Sequence, residues 1–288
     1  MKSSEWISKE PRRVMTLQFR ALTFASICVL VLGMAAHNGT AATIYVTTTQ
    51  PGIGTGACSL QEAIYSSVLH DTLDGTHGIA IDSTDPDHFV TTQCVLGTGN
   101  DTIVLPTNGV LKMSTLVDGD AYNPYGPTAT PLIFSTITIE GHGVTLEWDT
   151  AATGNVRLFA IGAASIKTPN GTASGTGNLT LRNLYIKGFH VKGGDGGKGT
   201  CRADENCPNG GLFLGGGGGL GAGGAIYLGN VGTAYIPALT VENSTFDSNG
   251  AVGGNGATTI NGSGGGGGLG GNGVIGGGGP AAMAAAAL

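Results

Sequence analysis

The acidic and basic side chains are the first candidates for chemistry, because enzymes that cleave polysaccharides need them in clusters. A glycoside hydrolase needs two carboxyl groups about 5–10 Å apart, and a lyase needs Ca²⁺-binding carboxylates beside a basic proton acceptor. The acids from residue 179 onward are scattered between loops and strand positions expected to face solvent: Asp195, Asp204, Glu205, Glu242 and Asp247. The basic candidates occur one per segment: Arg157, Arg182 and Lys187. The sequence therefore predicts no catalytic residue and no bound cofactor.

Two shorter acidic groups could hold a metal ion, but the sequence favours a simpler interpretation of both. The polar segment 70–92 contains Asp82, Asp85 and Asp87, whose carboxylates are a ligand type that Ca²⁺ prefers. Their spacing fits no ligand loop, so we interpret this segment as a solvated loop. The Asp-Gly-Asp sequence at 118–120 is typical of a turn. We therefore expect no metal site.

The cysteines predict disulfide bonds. Cys28 lies in an apolar run near the N-terminus, and the other four, which allow three pairings, are Cys58, Cys94, Cys201 and Cys207. In an oxidising compartment disulfides are favoured over metal ligation, and a zinc site would want closer cysteine pairs or clustered histidines. Cys201 and Cys207 bracket the polar sequence RADEN, which is turn-like. We therefore expect that local pair and a second pair, Cys58–Cys94.

The first forty residues predict export. An apolar run at 21–36 follows five basic residues: Lys2, Lys9, Arg12, Arg13 and Arg20. The run is shorter than the ~20 residues of a membrane span, and the small residues NGTAA follow it as a cleavage region. We interpret residues 1–42 as a signal peptide cleaved near Ala41 or Ala42, with an uncleaved anchor as the alternative. We expect no stable membrane span after cleavage.

The composition favours a glycine-rich folded chain. Glycine accounts for 54 of the 288 residues, and charged residues make up only 11%. A hydrophobic content of 40% argues against a solvated disordered chain, and the lack of a strict three-residue glycine period excludes collagen. A net charge of −6 gives no basic face for nucleic acid, so we expect no nucleic-acid partner.

The region around Cys58 predicts one short helix beside a strand. The β-branched segment 43–49 is strand-like. Ser59 and Glu62 have the spacing of a capping box. One helical stripe would then be apolar: Leu60, Ala63, Ile64 and Val68. We expect this amphipathic helix to cover the exposed first edge of the strands that follow.

The later part of the chain contains short strand candidates and a repeat. The sequence LTLRNLYIKGFHVKGG begins at Leu179, and LTVENSTFDSNGAVGG begins 60 residues later at Leu239. The gap-free match also aligns Asn183 with Asn243, and Ile186 with Phe246. A glycine tract, GGGGGLG, occurs at 215 and again 49 residues later at 264. Loops of variable length between matched strand units predict a solenoid.

The repeat also predicts which side chains face the core. Alternation along the strand points Leu239 and Val241 inward, and Thr240 and Glu242 toward solvent. Glycines are expected at sharp corners, where a positive φ carries no steric cost. Two asparagines would stack as a hydrogen-bonded ladder at equivalent turns: Asn183 and Asn243. The competing fold is a β-sandwich, which also has many short strands.

Several segments carry a family resemblance. The sequences CSLQEAI (58–64), CVLGTGNDTIVLP (94–106) and GVLKM (109–113) resemble the N-terminal module of bacterial surface proteins named for a Cys-Ser-Leu-Arg-Glu-Ala motif. Gln61 stands where that motif has arginine. The downstream sequences GGAI and FDSN are similar to paired motifs of polymorphic outer membrane proteins. The motif residues here are Gly223, Gly224, Ala225, Ile226, Phe246 and Asn249.

The resemblance, which covers residues 43–275, implies an all-β fold. It implies a right-handed parallel β-helix of the pectin-lyase-like type, with a short N-terminal capping helix. We expect an N-terminal capping module with the first strands at 43–130. Parallel β-helix repeats with glycine-rich loops would follow at 131–288, and we expect them to be truncated at the C-terminal end. The implied location is extracellular, at the cell surface or the outer membrane.

The resulting functional hypothesis is an exported, non-catalytic surface protein that serves in adhesion or as a structural passenger. Its ligand would lie on a host cell or matrix. The alternative is a polysaccharide lyase or glycoside hydrolase, because pectin-active enzymes share the fold and fold alone does not fix function. A third interpretation is a partly folded piece, in which residues 250–288 are the least ordered part of the mature chain.

Overall fold

A computed structural model of the chain describes residues 40–107, 109–115, 123–197, 216–229, 236–256 and 286–287. Four sequence predictions fall largely or wholly outside these residues. They are the signal peptide, the Asp-Gly-Asp turn at 118–120, the Cys201–Cys207 pair, and the low order of the C-terminal segment beyond Gly256.

The described residues are mostly β-structure. One α-helix, α1, spans Leu60–Leu69. The strands are β1 (Thr43–Tyr45), β2 (His77–Ile81), β3 (Phe89–Val95), β4 (Asn100–Val104), β5 (Val110–Met113), β6 (Thr136–Trp148), β7 (Phe159–Ile161), β8 (Ala163–Thr168), β9 (Gly171–Thr176), β10 (Asn178–Lys187), β11 (His190–Lys192), β12 (Ile226–Leu228), β13 (Ala238–Glu242), β14 (Thr245–Asp247), β15 (Gly250–Val252) and β16 (Ala286–Ala287).

The largest sheet is parallel throughout. Its order is β1-β4-β6-β10-β13, with β5 also paired to β6 and β14 also paired to β10. Every pairing within it is parallel. A β-sandwich, the alternative that the sequence left open, is built from antiparallel sheets. The all-β class expected from the sequence is therefore confirmed, with parallel pairing at its centre.

The register of the last strands equals the spacing of the sequence repeat. Leu179 pairs with Leu239 across β10 and β13, and Ile186 pairs with Phe246 across β10 and β14. In the next segment, His190 of β11 pairs with Gly250 of β15. Partners in all three pairings are 60 residues apart, as in the Arg182–Glu242 contact. The two matched sequences therefore lie side by side.

The core consists of inward-facing aliphatic side chains stacked from strand to strand. Ile103, Ile139 and Leu181 are in register on β4, β6 and β10, and all three are fully buried. Burying such a side chain contributes roughly 1.5–3 kcal/mol. The next residue in register, Val241 on β13, is 42% exposed. This column is therefore covered up to β10 and open beyond β13.

Helix α1 begins at the predicted capping box. The Glu62 backbone N–H donates to Ser59 Oγ at 3.1 Å, and the Ser59 N–H donates to Glu62 Oε2 at 3.0 Å. Glu62 Oε1 also accepts the Gly54 N–H at 2.9 Å. The motif glutamate therefore closes the cap and holds the preceding loop.

Helix α1 has no face exposed to solvent, whereas the sequence predicted an amphipathic helix with one polar, solvent-facing side. All ten of its residues are buried, including Gln61, Ser66 and Ser67. The helix contacts two antiparallel hairpins, β2–β3 and β8–β9, which cover the face expected to meet solvent. Polar helix residues accordingly find internal partners, such as Ser67 Oγ, which donates to Asp101 Oδ2 at 2.7 Å.

The interpretation of residues 70–92 as a solvated loop is wrong in part. Residues 77–81 form β2, and its last four residues are buried. Gly78 lies so close to α1 that an added Cβ would sit 1.6 Å from Ser66 Oγ. Asp82 and Asp85 belong to the turn that joins β2 to β3. The sequence analysis did not identify the short apolar run GIAI as a strand because several aspartates follow it closely.

The buried carboxylate of Asp101 joins several segments of the N-terminal region. This carboxylate accepts hydrogen bonds from the Ala42 N–H at 3.0 Å, the Thr98 hydroxyl at 2.6 Å and the Gly99 N–H at 3.1 Å. The predicted Cys58–Cys94 disulfide is present and ties the start of α1 to β3. The CSLQEAI and GNDTIVLP segments thus form one packed unit around the first strands.

Candidate binding surface

The corners between consecutive strands are built from residues in the left-handed conformation. His142, Asn183 and Asn243 have φ values of 50°, 55° and 48°. Each lies where a strand of the large sheet bends or ends, between the halves of β6, between the halves of β10, and between β13 and β14. Asparagine and histidine tolerate this conformation better than most residues. Equivalent corners therefore repeat in three successive strands.

The corner groove is an open depression of about 480 Å³ along these corners. Its lining residues are His142, Gly143, Asn183, Leu184, Tyr185, Asn243 and Thr245. Asn183 Nδ2 donates to Glu140 Oε1 at 2.6 Å. This bond directs the amide toward β6, and the ladder between Asn183 and Asn243 stays a prediction.

Two rows of charged side chains, which we name the charge files, cross the outer face of the large sheet. In the first charge file, Arg182 lies in register between Glu140 and Glu242. Arg182 Nε contacts Glu242 Oε2 at 2.7 Å. Both side chains are almost half exposed, so this ion pair contributes little stability by itself. The sign of the charge alternates from strand to strand.

The second charge file follows the same alternation on the other side of the corners. Lys112, Glu147, Lys187 and Asp247 are in register on β5, β6, β10 and β14. Glu147 contacts Lys112 Nζ at 3.7 Å and Lys187 Nζ at 2.8 Å.

Tyr185 holds Asp247, the last member of the second charge file, in place. The Tyr185 hydroxyl donates to Asp247 Oδ2 at 2.6 Å. This hydrogen bond lowers the pKa of Asp247 and raises the pKa of Tyr185. Asp247 is therefore held in its charged form, whereas the general acid of a glycosidase needs a raised pKa.

The FDSN sequence places its asparagine against the preceding turn of the chain. Asn249 Oδ1 accepts the Phe189 N–H at 3.0 Å, and its Nδ2 donates to the Ile186 carbonyl at 3.0 Å. One side chain thus satisfies two backbone groups where β10 ends. Phe246 faces the core side in register with Ile186 and is 42% exposed.

At the GGAI sequence the backbone packs closely against neighbouring segments of the chain. Gly223 has a φ of 64°, and a Cβ on Gly224 would lie 2.5 Å from the Gly250 backbone nitrogen. The Ala225 carbonyl accepts N–H donors from Leu158 and Phe159 at 2.9 and 3.0 Å. Both glycines are therefore required by geometry.

Residues of both motifs line one cavity, which we name the end cleft. Its volume is about 570 Å³. Its lining residues are Gly223, Gly224, Ala225, Ile226, Leu239, Val241, Phe246, Asn249, Gly250 and Ala251. The structure thus brings the GGAI and FDSN motifs together, at the side where the core column is open.

Arg157, one of the bases considered for catalysis, lies inside the fold. Arg157 is buried, with Nε donating to the Ala222 carbonyl at 2.9 Å and Nη1 to the Tyr125 carbonyl at 2.6 Å. Its guanidinium also lies 5.0 Å from the centre of the Tyr227 ring. Burial lowers the pKa of Arg157 to about 10. This arginine serves packing and does not reach the outer face.

Of the remaining acids considered for catalysis, Asp195 is already paired. Asp195 contacts Lys192 Nζ at 2.7 Å, and this contact lowers the pKa of Asp195. Asp204 and Glu205 lie outside the described residues. Within the described ranges, no group of three His, Cys, Asp or Glu side chains is placed to hold a metal ion.

The Arg182–Glu242 pair was missed at the sequence level. The same 60-residue alignment that matched the strands also predicts this contact, because residues 182 and 242 fall at equivalent positions. The two charge files follow from applying that register to the outward positions.

Comparison with known proteins adds no assignment: the chain matches no family model, no curated protein and no solved structure. Among the described residues, no helix has both the length and the apolar character needed to cross a bilayer.

Proposed function

We propose that this chain is an exported, non-catalytic surface protein built as a right-handed parallel β-helix, which binds a ligand on a host cell or matrix. It would belong with the bacterial surface proteins that its motifs resemble. The observation that carries the proposal is the constant 60-residue register through three consecutive pairings, β10–β13, β10–β14 and β11–β15. Such a register is what stacked coils of one repeat require.

The strand order supports the β-helix. After β6 the chain runs through β7 and returns to pair with β6 as β10. After β10 it runs through β11 and β12 and returns to pair with β10 as β13, while β12 pairs with β7. Parallel neighbours joined by such crossovers are right-handed in nearly all proteins. We therefore assign a right-handed coil.

The corner groove supports the binding role. It exposes an imidazole, two amides and two hydroxyl-bearing side chains along successive strands. Strands in a sheet repeat about every 4.8 Å, so these groups form a regular row of hydrogen-bonding partners. Such a row suits an extended polar ligand such as a glycan chain.

A polysaccharide lyase or glycoside hydrolase is the second candidate. Glu140 and Glu242 lie on the same face with one strand between them, which places their backbones about 9.6 Å apart. Carboxyl separations near this value occur in inverting hydrolases. Arg182 stands between the two and binds Glu242, which favours the non-catalytic role.

The deciding experiment measures attachment and turnover with the same purified protein. The mature chain, with its disulfide, is added to host cells, matrix and a panel of plant and bacterial polysaccharides. We expect saturable attachment and no release of unsaturated or reducing ends. Turnover of any polysaccharide, above all Ca²⁺-dependent release, would overturn the proposal.

A pair of threonine substitutions locates the binding surface. Thr245→Arg places a bulky side chain in the corner groove, whereas Thr240→Arg alters an exposed residue of β13 outside it. We expect the first to weaken attachment at least about tenfold and the second to leave it unchanged. Equal attachment by both variants would remove the corner groove from the proposal.

A further inference from the structure

The last strands of the large sheet have an open edge. β13 and β14 pair with β10 on one side, and on the other side no strand pairs with them within the described residues. Their inward side chains Val241 and Phe246 are each 42% exposed, whereas Leu181 and Ile186, one strand earlier, are fully buried. The end cleft lies directly against this edge. Among the described residues, the edge therefore combines backbone groups that no further strand pairs with and an unfilled apolar surface.

The alternation of charge in the two charge files predicts the sign of the charges on an added strand. The first file runs from negative to positive to negative along Glu140, Arg182 and Glu242. The second file ends on Lys187 and then Asp247. Both alternations stop on a carboxylate at the open edge. A strand added there in parallel register would place one outward side chain beside Glu242 and another beside Asp247, and continued alternation makes both basic.

We propose that the open edge of β13 and β14 binds one extended, basic β-strand of a partner polypeptide. Its apolar side chains enter the end cleft, and two Lys or Arg side chains, five residues apart, lie beside Glu242 and Asp247. Addition of a strand to a sheet edge takes its affinity from backbone hydrogen bonds and its specificity from alternate side chains. This inference goes beyond the proposed function and does not depend on it.

Neither residues 257–288 nor a second copy supplies the charges that this edge would pair with. Residues 257–288 contain no lysine and no arginine. They cannot supply the two cations that the charge files call for. β13 and β14 contain no lysine and no arginine, so a second copy that pairs through the same edge brings no cation to Glu242 or Asp247, whichever way its strands run.

Polar side chains define the rest of the partner's pattern. The Leu184 N–H donates to Ser244 Oγ at 3.1 Å, and Asn249 bonds the Phe189 N–H and the Ile186 carbonyl. In each case a side chain from the later part of the chain forms a hydrogen bond with a backbone group of the earlier part. A docking strand with serine and asparagine at these positions would make the same bonds to Ser244, Phe246 and Asn249.

The test uses two peptides and the full chain. The basic peptide, Leu-Thr-Val-Arg-Asn-Ser-Thr-Phe-Lys-Ser-Asn, repeats residues 239–249 with cations in place of both acids. The control peptide has the unaltered sequence. We expect the basic peptide to bind about tenfold more tightly at low ionic strength, as two partly exposed ion pairs allow. The preference should shrink as salt is raised.

Charge reversal on the protein supplies the reciprocal measurement. The double variant Glu242→Lys, Asp247→Lys should prefer the unaltered peptide. Lys112→Glu, at the far end of the second charge file, should leave the original preference unchanged. Near-ultraviolet circular dichroism confirms that each variant is folded, and the two-peptide comparison on the unaltered chain stands without the variants.

Several results would overturn the inference. They are no binding of either peptide, equal binding at low salt, or an unchanged preference after charge reversal. Sedimentation that shows the chain dimerising through this edge, with Phe246→Asp abolishing the dimer and the basic peptide failing to displace it, would assign the edge to a second copy instead.

Discussion

Single side chains hold neighbouring segments together where backbone groups leave the strand ladders. Asn249 satisfies one donor and one acceptor of the preceding turn, and Asp101 gathers donors from three places in the N-terminal module. Buried or half-buried backbone groups need such partners, because an unpaired one costs about as much as a lost hydrogen bond. The motif residues are thus explained by contacts within the fold.

Asn249→Ala should destabilise the protein by about 1–2 kcal/mol, because it removes two hydrogen bonds and leaves the Phe189 N–H and the Ile186 carbonyl without this partner. Urea unfolding of the folded chain measures the change. Asn100→Ala, at an exposed position, is the control and should change the free energy of unfolding by less than about 0.5 kcal/mol. Equal effects of both would show that the Asn249 contacts are unimportant.

Asp71 should make the protein sensitive to acid. Burial would raise the pKa of this carboxyl, but hydrogen bonds from Thr168, Asn170 and Thr72 outweigh burial and hold the pKa at about 2. A lowered folded-state pKa stabilises the fold above the unfolded value near 3.8. That stability is lost as the pH falls toward 2.

The measurement is the free energy of unfolding as a function of pH. Between pH 4 and pH 2 it should fall less steeply in Asp71→Asn than in the unaltered chain. Asn100→Ala, which alters an exposed residue without a titrating group, should keep the original slope. A parallel pH profile for Asp71→Asn would contradict this assignment.

The path of the chain depends on the residues at its corners as well as on the strands between them. Asn243, with a φ of 48°, separates β13 from β14, so Asn243→Val should cost about 1–2 kcal/mol because a β-branched residue resists this conformation. Asn243→Gly tolerates the corner and should be close to neutral. Thermal unfolding of the two variants separates them. A valine variant as stable as the glycine variant would show that the corner is not strained by a side chain.

At the element scale, local signals predicted part of the fold well. The capping box at Ser59 fixed the start of α1, and the Leu179–Leu239 alignment gave the register of β10 and β13. Both rest on interactions between residues at a set spacing. Sequence analysis therefore reached them without knowledge of the surroundings.

Tertiary surroundings decided what the sequence did not predict. The full burial of α1 depends on the β2–β3 and β8–β9 hairpins, and neither hairpin was identified in the sequence. Asn170 of the β8–β9 turn also binds Asp71, 99 residues away. Such contacts have no local signature. At the candidate site, the end cleft likewise arises only when residues 223–226 meet 239–251.

The whole molecule is asymmetric along its stacked core. The N-terminal module, with a buried helix and a disulfide, lies by the first strands, and the open edge lies at the last. A large part of the stability should therefore reside in the N-terminal module. The exposed Val241 and Phe246 mark the other end as a place for binding.

Removal of the disulfide tests this distribution. Cys58 and Cys94 are separated by 36 residues, and closing a loop of this length stabilises a protein by about 4 kcal/mol. The double variant Cys58→Ser, Cys94→Ser should lose about that much stability in urea unfolding. A loss below about 1 kcal/mol would show that the module is held by packing alone.

A crystal structure at a resolution that shows strand direction tests the central claim most directly. We predict a continuous coil in which β6, β10 and β13 run parallel, with Leu179 beside Leu239 and Ile186 beside Phe246. Two face-packed antiparallel sheets, or a different register between these strands, would contradict the account.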